Sequence, residues 1–251
     1  MWHGKEAAMK IAQLTDIHLF ASPQGRLMGV DTYAALRKVL ASVREQHADA
    51  VFLTGDISQD ESEASYRLCA EALAGLGLPV HWIAGNHDKP ATAARVFAEY
   101  DFMHPLDTLR LGGWTFLGVD CCVAGHDEGR IDDASLAALR SRLARVDDGP
   151  AAVVLHHHPL AVGTPLLDEC MLMDGGRLWA MLAQAERARL AICGHVHGDH
   201  RIVRDGRVLE VCPATCFQWI KGTREAAIEN RQGYRLFRFL RDHYEAKTLF
   251  L

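Results

Sequence analysis

The sequence predicts an α/β protein in which a pair of sheets is covered on the outside by helices. Three observations lead there. Short apolar runs alternate with amphipathic stretches up to about His195, the pattern of β-α-β units. From His200 onward the rhythm changes to paired strand candidates joined by tight turns. Polar residues stand immediately after the apolar runs, so that several strands deliver them to one edge, where open α/β sheets bind ligands.

The elements follow in order. Lys10 to Leu14 is a short apolar-rich strand. Leu36, Val39, Leu40 and Val43 share one helical face behind Asp31 and Thr32, either of which can cap the helix. Ala50 to Thr54 is a strand closed by Gly55-Asp56, and a helix is expected from Glu61 to Leu76. Pro79 to Ala84 and Trp114 to Val119 are strands that end at Gly85-Asn86 and at Asp120. Leu136, Leu139 and Leu143 mark a helix ahead of Gly149-Pro150. Ala151 to Leu155 runs into three histidines, Leu178 to Ala188 is helical, and Leu190 to Cys193 ends in Gly194-His195. Asp205-Gly206 between Arg201–Arg204 and Arg207–Val211 is a two-residue hairpin signal. Tyr234 to Leu240 and Tyr244 to Phe250 are the last two strands. No repeat or Pro/Gly-rich linker divides the chain, so residues 1–251 are expected to form a single domain.

A hydrophobic share of 49% and a charged share of 24% suit an ordinary globular protein. The net charge of -5 and the lack of a basic run argue against a nucleic-acid partner, whose phosphates demand a basic face. No apolar run approaches the roughly 20 residues needed to cross a bilayer, and the first residues, MWHGKEAAMK, lack the apolar stretch of a leader. A cytoplasmic protein without a membrane partner is expected. The seven cysteines are scattered without a C-x-x-C, as for reduced thiols. The sequence leaves the oligomeric state open, a homodimer included.

Fourteen histidines is a high count for 251 residues, and several cluster. Asp16-Ile17-His18 places a carboxylate and an imidazole on the same side of an extended chain. Gly55-Asp56 offers a carboxylate able to bridge two ions. In Gly85-Asn86-His87-Asp88 the amide oxygen can bind a hard cation, and His87 can donate to a departing oxygen. Asp88 is placed to orient the His87 ring from behind. Alternation along a strand would put His156 and His158 together, opposite His157, and leaves open which of them binds. Gly194-His195-Val196-His197 presents two imidazoles at the same spacing of two. Each block alone can also be a polar turn, a pair of exposed histidines or a helix cap. Together they supply the mixed nitrogen and oxygen donors of two transition-metal ions.

These blocks, in this order, resemble the calcineurin-like metallophosphoesterases, whose pattern is D-x-H, G-D, G-N-H-D/E, a histidine before a proline, and G-H-x-H. The resemblance implies a four-layer fold, a β-sandwich core flanked by helices, with two divalent ions at one sheet edge: Fe or Mn, with Zn or Co as alternatives. It assigns one ion to Asp16, His18, Asp56 and His197. It assigns the other to Asp56, Asn86, His195 and a strand-end histidine, taken as His157 because the family ligand stands two residues before the proline. It makes His87 the catalytic histidine and Asn86, His87 and His197 the substrate contacts.

The stretches Leu14–Phe20, Met28–Thr32, Leu155–Leu160, Cys193–His197 and Pro213–Trp219 resemble the bacterial Icc-type cyclic AMP phosphodiesterases. That likeness implies hydrolysis of 3′,5′-cyclic AMP to 5′-AMP by a metal-bound hydroxide. Phe217 and Trp219 are then candidates for a nucleobase platform, although aromatics beside a strand commonly belong to the core. The alternatives are a broader diesterase acting on glycerophosphodiesters or 2′,3′-cyclic nucleotides, a nuclease, and a binding module without chemistry. The complete ligand set opposes the last.

Overall fold

The computed structural model describes residues 8–251. The reading of the first residues as lacking an apolar leader falls mostly on 1–7, outside the described residues.

The elements run β1 (Met9–Leu14), β2 (Arg26–Leu27), β3 (Val30–Asp31), α1 (Thr32–Gln46), β4 (Ala50–Thr54), α2 (Glu63–Ala74), β5 (Val80–Ile83), α3 (Pro90–Phe97), β6 (Met103–Pro105), β7 (Thr108–Leu111) and β8 (Trp114–Gly118). They continue with α4 (Asp133–Ala144), β9 (Ala151–Val154), α5 (Pro165–Asp168), α6 (Gly175–Gln184), β10 (Ala188–Cys193), β11 (His200–Arg204), β12 (Arg207–Val211), β13 (Gln218–Trp219), β14 (Ile228–Glu229), β15 (Gly233–Phe239) and β16 (Tyr244–Phe250).

Two six-stranded sheets result, ordered β16-β15-β1-β4-β5-β6 and β11-β12-β10-β9-β8-β7. In each, four parallel strands form one block (β1, β4, β5, β6 and β12, β10, β9, β8) while the remaining strands run antiparallel. Alternation along the strands builds three apolar layers. Ala12, Leu14, Val51 and Leu53 face α1, α2 and α3, while Val153, Leu155, Ala191 and Cys193 join the layer that holds residues of α4 and α6. Ile11, Phe52, Val154, Leu190 and Ile192 fill the space between the sheets with Phe116, Phe237 and Phe239. There Phe116 lies edge-to-face against Phe52 and Phe239, each pair 4.9 Å between centroids. The layers therefore run helix, sheet, sheet, helix, as expected.

Local chemistry explains the boundaries. Asp31, Ser62 and Asp132 accept from the third residue of α1, α2 and α4, so α2 begins two residues later than the apolar pattern suggests. Asp205 and Gly206 both adopt positive φ, 51° and 69°, the geometry a two-residue hairpin needs. The late strands extend the earlier β-α-β frame: β12 pairs parallel with β10, and β15 pairs antiparallel with β1. Helices α3 and α5 and strands β2, β3, β6, β7, β13 and β14 are additions to the sequence reading. Among the described residues no helix is long and apolar enough to cross a membrane.

Candidate metal centre

The ligand candidates all lie just beyond the C-terminal ends of central strands. Asp16 and His18 follow β1, Asp56 follows β4, Asn86 and His87 follow β5, His156 follows β9, and His195 and His197 follow β10. Five of the nine non-glycine residues with positive φ among the described residues are in this group: Asp16, His18, Asp56, His195 and His197. The left-handed region is sparsely populated by residues other than glycine, and a cluster of it marks backbone held under strain at a site. Backbone bonds hold it here. Asp16 N–H donates to Gly55 O (3.0 Å), Ile17 and His18 N–H to Asp56 O (2.8 and 2.9 Å), and Leu19 N–H to Ile57 O (2.9 Å). Two glycines permit close approach. A Cβ on Gly85 would lie 2.1 Å from Asp56 Oδ1, and one on Gly194 would lie 2.0 Å from Thr15 Oγ1.

The side chains converge as two adjoining groups. In one, His197 Nε2 lies 3.4 Å from Asp16 Oδ1 and 3.2 Å from His18 Nε2, which is 3.7 Å from Asp56 Oδ2. In the other, His156 Nε2 lies 3.3 Å from Asp56 Oδ2 and 3.1 Å from Asn86 Oδ1, and Asn86 Oδ1 is also 3.1 Å from His195 Nδ1. Asp56 Oδ2 is common to both.

Two sequence-based assignments change. His157 was preferred over His156 as the strand-end ligand, but His157 Nε2 faces the Asp127 carbonyl at 3.1 Å and its Nδ1 faces Cys121 Sγ at 3.3 Å. His156 takes the place beside Asp56 and Asn86. Strand β9 ends at Val154, so its alternation does not extend to the histidines, and Thr54 O, 2.8 Å from His156 Nδ1, turns that ring toward the site. Asp88 was expected to orient His87. Instead its buried carboxylate accepts from the N–H groups of Ile57, Ser58 and Gly85 and from Tyr66 Oη, and so ties the β4 and β5 loops together. The side chain whose polar atom meets the His87 ring nitrogen is Gln59, with Nε2 3.3 Å from His87 Nδ1. No sequence motif pointed to it.

The electrostatics call for positive charge. Carbonyl oxygens only accept, so the Nδ1 atoms of His156 and His197, facing Thr54 O and Phe217 O (3.0 Å), must carry hydrogen. Their Nε2 atoms then present lone pairs to carboxylate and amide oxygens, an arrangement that holds together only with a cation or an added proton. Burial opposes charge on His156, but the Asp56 and Asp16 carboxylates outweigh it and hold its pKa up at about 10. Burial likewise opposes charge on Asp56, yet His156, His18 and His87 pull its carboxyl well below the usual range. Asp16 Oδ1 is buried without a hydrogen-bond partner among the described residues. Buried carboxylates, an amide oxygen and bare imidazole nitrogens fit a transition-metal cation. Sets drawn from these residues, Asp16-Asp56-His156 and His18-Asp56-His87 among them, bring their ligand atoms within 4.8 Å of one another.

A pocket of about 300 Å³ opens onto this floor. His18, Asp56, Asn86, His87, His195 and His197 form its polar base, and its walls are mainly apolar. Leu27 and Met28 come from the β2–β3 hairpin, Leu166, Leu167 and Cys170 from the α5 segment, and Phe217, Trp219 and Ala226 from the segment between β12 and β14. The last two segments are fastened together, since Leu166 N–H donates to Thr223 O and Gly222 N–H to Thr164 Oγ1, each at 3.2 Å. The two aromatics part company: Phe217 is fully buried, whereas Trp219 is half-buried with its ring 5.7 Å from that of His197. No lysine or arginine is among the lining residues.

Residues 9–199 match the calcineurin-like phosphoesterase family over most of the chain. The chain belongs to the calcineurin-like phosphoesterases. Among relatives of this family, it is 33% identical over 226 residues to the 3′,5′-cyclic adenosine monophosphate phosphodiesterase CpdA of Vibrio vulnificus, covering 89% of this chain and 82% of that protein. It is 35% identical over 218 residues to the CpdA of Escherichia coli K12, covering 85% and 78%. Its fold is similar to that of a dimetal phosphatase from Danio rerio, with a TM-score of 0.70 at 13% identity over 96% of this chain and 98% of that one.

Proposed function

We propose that this calcineurin-like phosphoesterase hydrolyses 3′,5′-cyclic AMP to 5′-AMP with two divalent cations, Fe or Mn, in the cytoplasm. One observation carries the reading: a floor of buried carboxylate, amide and imidazole ligand atoms, with Asp16 Oδ1 and His195 Nε2 lacking a hydrogen-bond partner among the described residues, lies beneath an apolar, partly aromatic pocket that offers no lysine or arginine. A phosphodiester has one negative charge, which the floor can take once cations are bound. The apolar wall suits a base-bearing ester better than a dianionic monoester. The names of the CpdA relatives support the cyclic nucleotide, and seven unpaired cysteines support a reducing compartment.

Asp16, His18, His197 and Asp56 would hold one cation, and Asp56, Asn86, His156 and His195 the other, with Asp56 shared. When bound, such a pair polarises the phosphoryl group and lowers the pKa of water. The chain's own residues do the rest. Thr54, Gln59 and Phe217 take the Nδ1–H of His156, His18 and His197 and so keep each Nε2 turned inward. His87 sits at the pocket edge, its N–H donated to Asp56 Oδ1 at 2.9 Å, with its ring available to the phosphoryl oxygens and the departing 3′ oxygen. The apolar wall restricts water to the floor.

The test is hydrolysis by protein reconstituted with Mn²⁺ or Fe²⁺. Cyclic AMP is run beside glycerophosphodiesters, 2′,3′-cyclic nucleotides and monoesters, with His87→Ala as control. The expected result is preferential formation of 5′-AMP and a fall of about 10²–10⁴-fold in kcat for His87→Ala with metal content kept. Equal cleavage of every diester would replace the cyclic nucleotide reading by that of a broad diesterase.

A further inference from the structure

We infer that Gln59 is a positioning residue that locks His87 into a single tautomer, with Nδ1 bare and the proton on Nε2. The inference rests on the metal-centre reading above and concerns how that site is set for its reaction. The backbone places Gln59 for this. Leu19 N–H bonds Ile57 O, and Gln59 N–H bonds Leu19 O at 2.7 Å, so the loop after β4 runs in register with the loop that carries His18. The Gln59 side chain then lies between two rings that meet edge-to-face with centroids 5.0 Å apart. Its Oε1 is 2.7 Å from His18 Nδ1, and its Nε2 is 3.3 Å from His87 Nδ1.

Each step of the proton count forces the next. If His18 Nε2 faces a cation, the ring hydrogen must sit on Nδ1. A Nδ1–H needs an acceptor, so the Gln59 atom beside it is the carbonyl oxygen. The other end of the amide is then NH₂, which can only donate. His87 Nδ1 must therefore accept and carry no hydrogen. A neutral imidazole keeps its one hydrogen on the other nitrogen, so Nε2–H points away from Gln59. Cation binding at His18 thus sets the tautomer of His87 through one amide. In this tautomer His87 presents its Nε2–H as a hydrogen-bond donor to a phosphoryl or departing oxygen.

The experiment reads the ring nitrogens directly. Histidine ¹⁵N–¹H correlation spectra are recorded on protein loaded with Zn²⁺, which is diamagnetic, for wild type, Gln59→Met and Gln59→Glu. The wild type is expected to show His87 with a bare Nδ1 and a protonated Nε2. Gln59→Met, of similar length but without hydrogen bonds, should give a mixture of tautomers. Gln59→Glu, which can only accept, should move the hydrogen to Nδ1. With bis(p-nitrophenyl) phosphate as substrate, Gln59→Met should lower kcat about tenfold with KM and metal content unchanged. A protonated Nδ1 in the wild type overturns the inference. So does a Gln59→Met protein with the wild-type tautomer, or one whose loss of activity only tracks loss of metal. Because neither readout uses cyclic AMP, failure of the cyclic nucleotide reading would leave this result standing.

Discussion

Arg235 of β15 reaches across the sandwich to Glu210 of β12 and to Asp199, and bonds Val211 O at 3.0 Å. Tyr244 Oη (3.0 Å) and Arg201 Nε (3.2 Å) complete Glu210, and Thr248 Oγ1 completes Asp199 at 2.9 Å. Its central pair, Arg235 and Glu210, is buried, and the group carries its own cation. The cluster of Asp16, Asp56 and the histidines is equally buried but lacks any lysine or arginine, so its counter-charge must be imported. The difference separates two uses of buried charge. A balanced network fastens one sheet to the other, while an unbalanced one is suited to take up a cation or a proton. Burial alone does not tell them apart; the count of donors against acceptors does.

The largest effect should come from removing the shared acceptor. On the proposed two-cation reading, Asp56→Ala takes a ligand from both ions, so metal content by elemental analysis should fall well below that of wild type. Phosphodiester hydrolysis should drop by more than the roughly 100-fold that loss of a supporting hydrogen bond can cost. A variant that keeps its full metal content would refute the bridge. The opposite pattern is expected for Arg235→Met, which leaves Glu210 and Asp199 facing each other without the cation between them. Denaturant unfolding should show a loss of about 3–5 kcal/mol, with bound metal per folded chain unchanged. A loss under about 1 kcal/mol would mean that Arg201 and Tyr244 suffice.

A third case sharpens the comparison. His81 and His104 are register partners on β5 and β6, with ring centroids 5.4 Å apart. Burial, and then the charge of His104, push His81 down to about 4 from an ordinary 6.5. The folded state thus favours the neutral ring, and the unfolded chain takes up the proton first as pH falls. Stability should be unaffected by this group above pH 6.5 and should decline between pH 6.5 and about 4. His81→Gln should shrink that decline in the urea midpoint, and an identical pH curve for the two proteins would exclude it.

The strand ends, the paired late strands and most of the residues that converge beyond the strand ends were legible in the sequence, because β periodicity and the D-x-H, G-D, G-N-H-D and G-H-x-H blocks are local patterns. What was not legible depended on contacts between distant segments. His156 is selected by a carbonyl 102 residues away, at Thr54, which no spacing rule encodes. Gln59 lies next to no motif histidine in sequence and meets His18 and His87 only because two loops run in register. Asp88 was read as a ring-orienting residue because it adjoins His87, yet its carboxylate turns inward to four donors on the β4 and β5 loops and on α2. Trp219 could be told from Phe217 only by exposure.

The five residues held at positive φ have a consequence for how such a protein ages in a genome. Left-handed backbone at a carboxylate or imidazole residue costs stability, and exchange for glycine or asparagine would relieve part of it while discarding a ligand. Decay of the chemistry therefore runs downhill toward a firmer scaffold, and only continued selection for turnover keeps the chain on the steeper side.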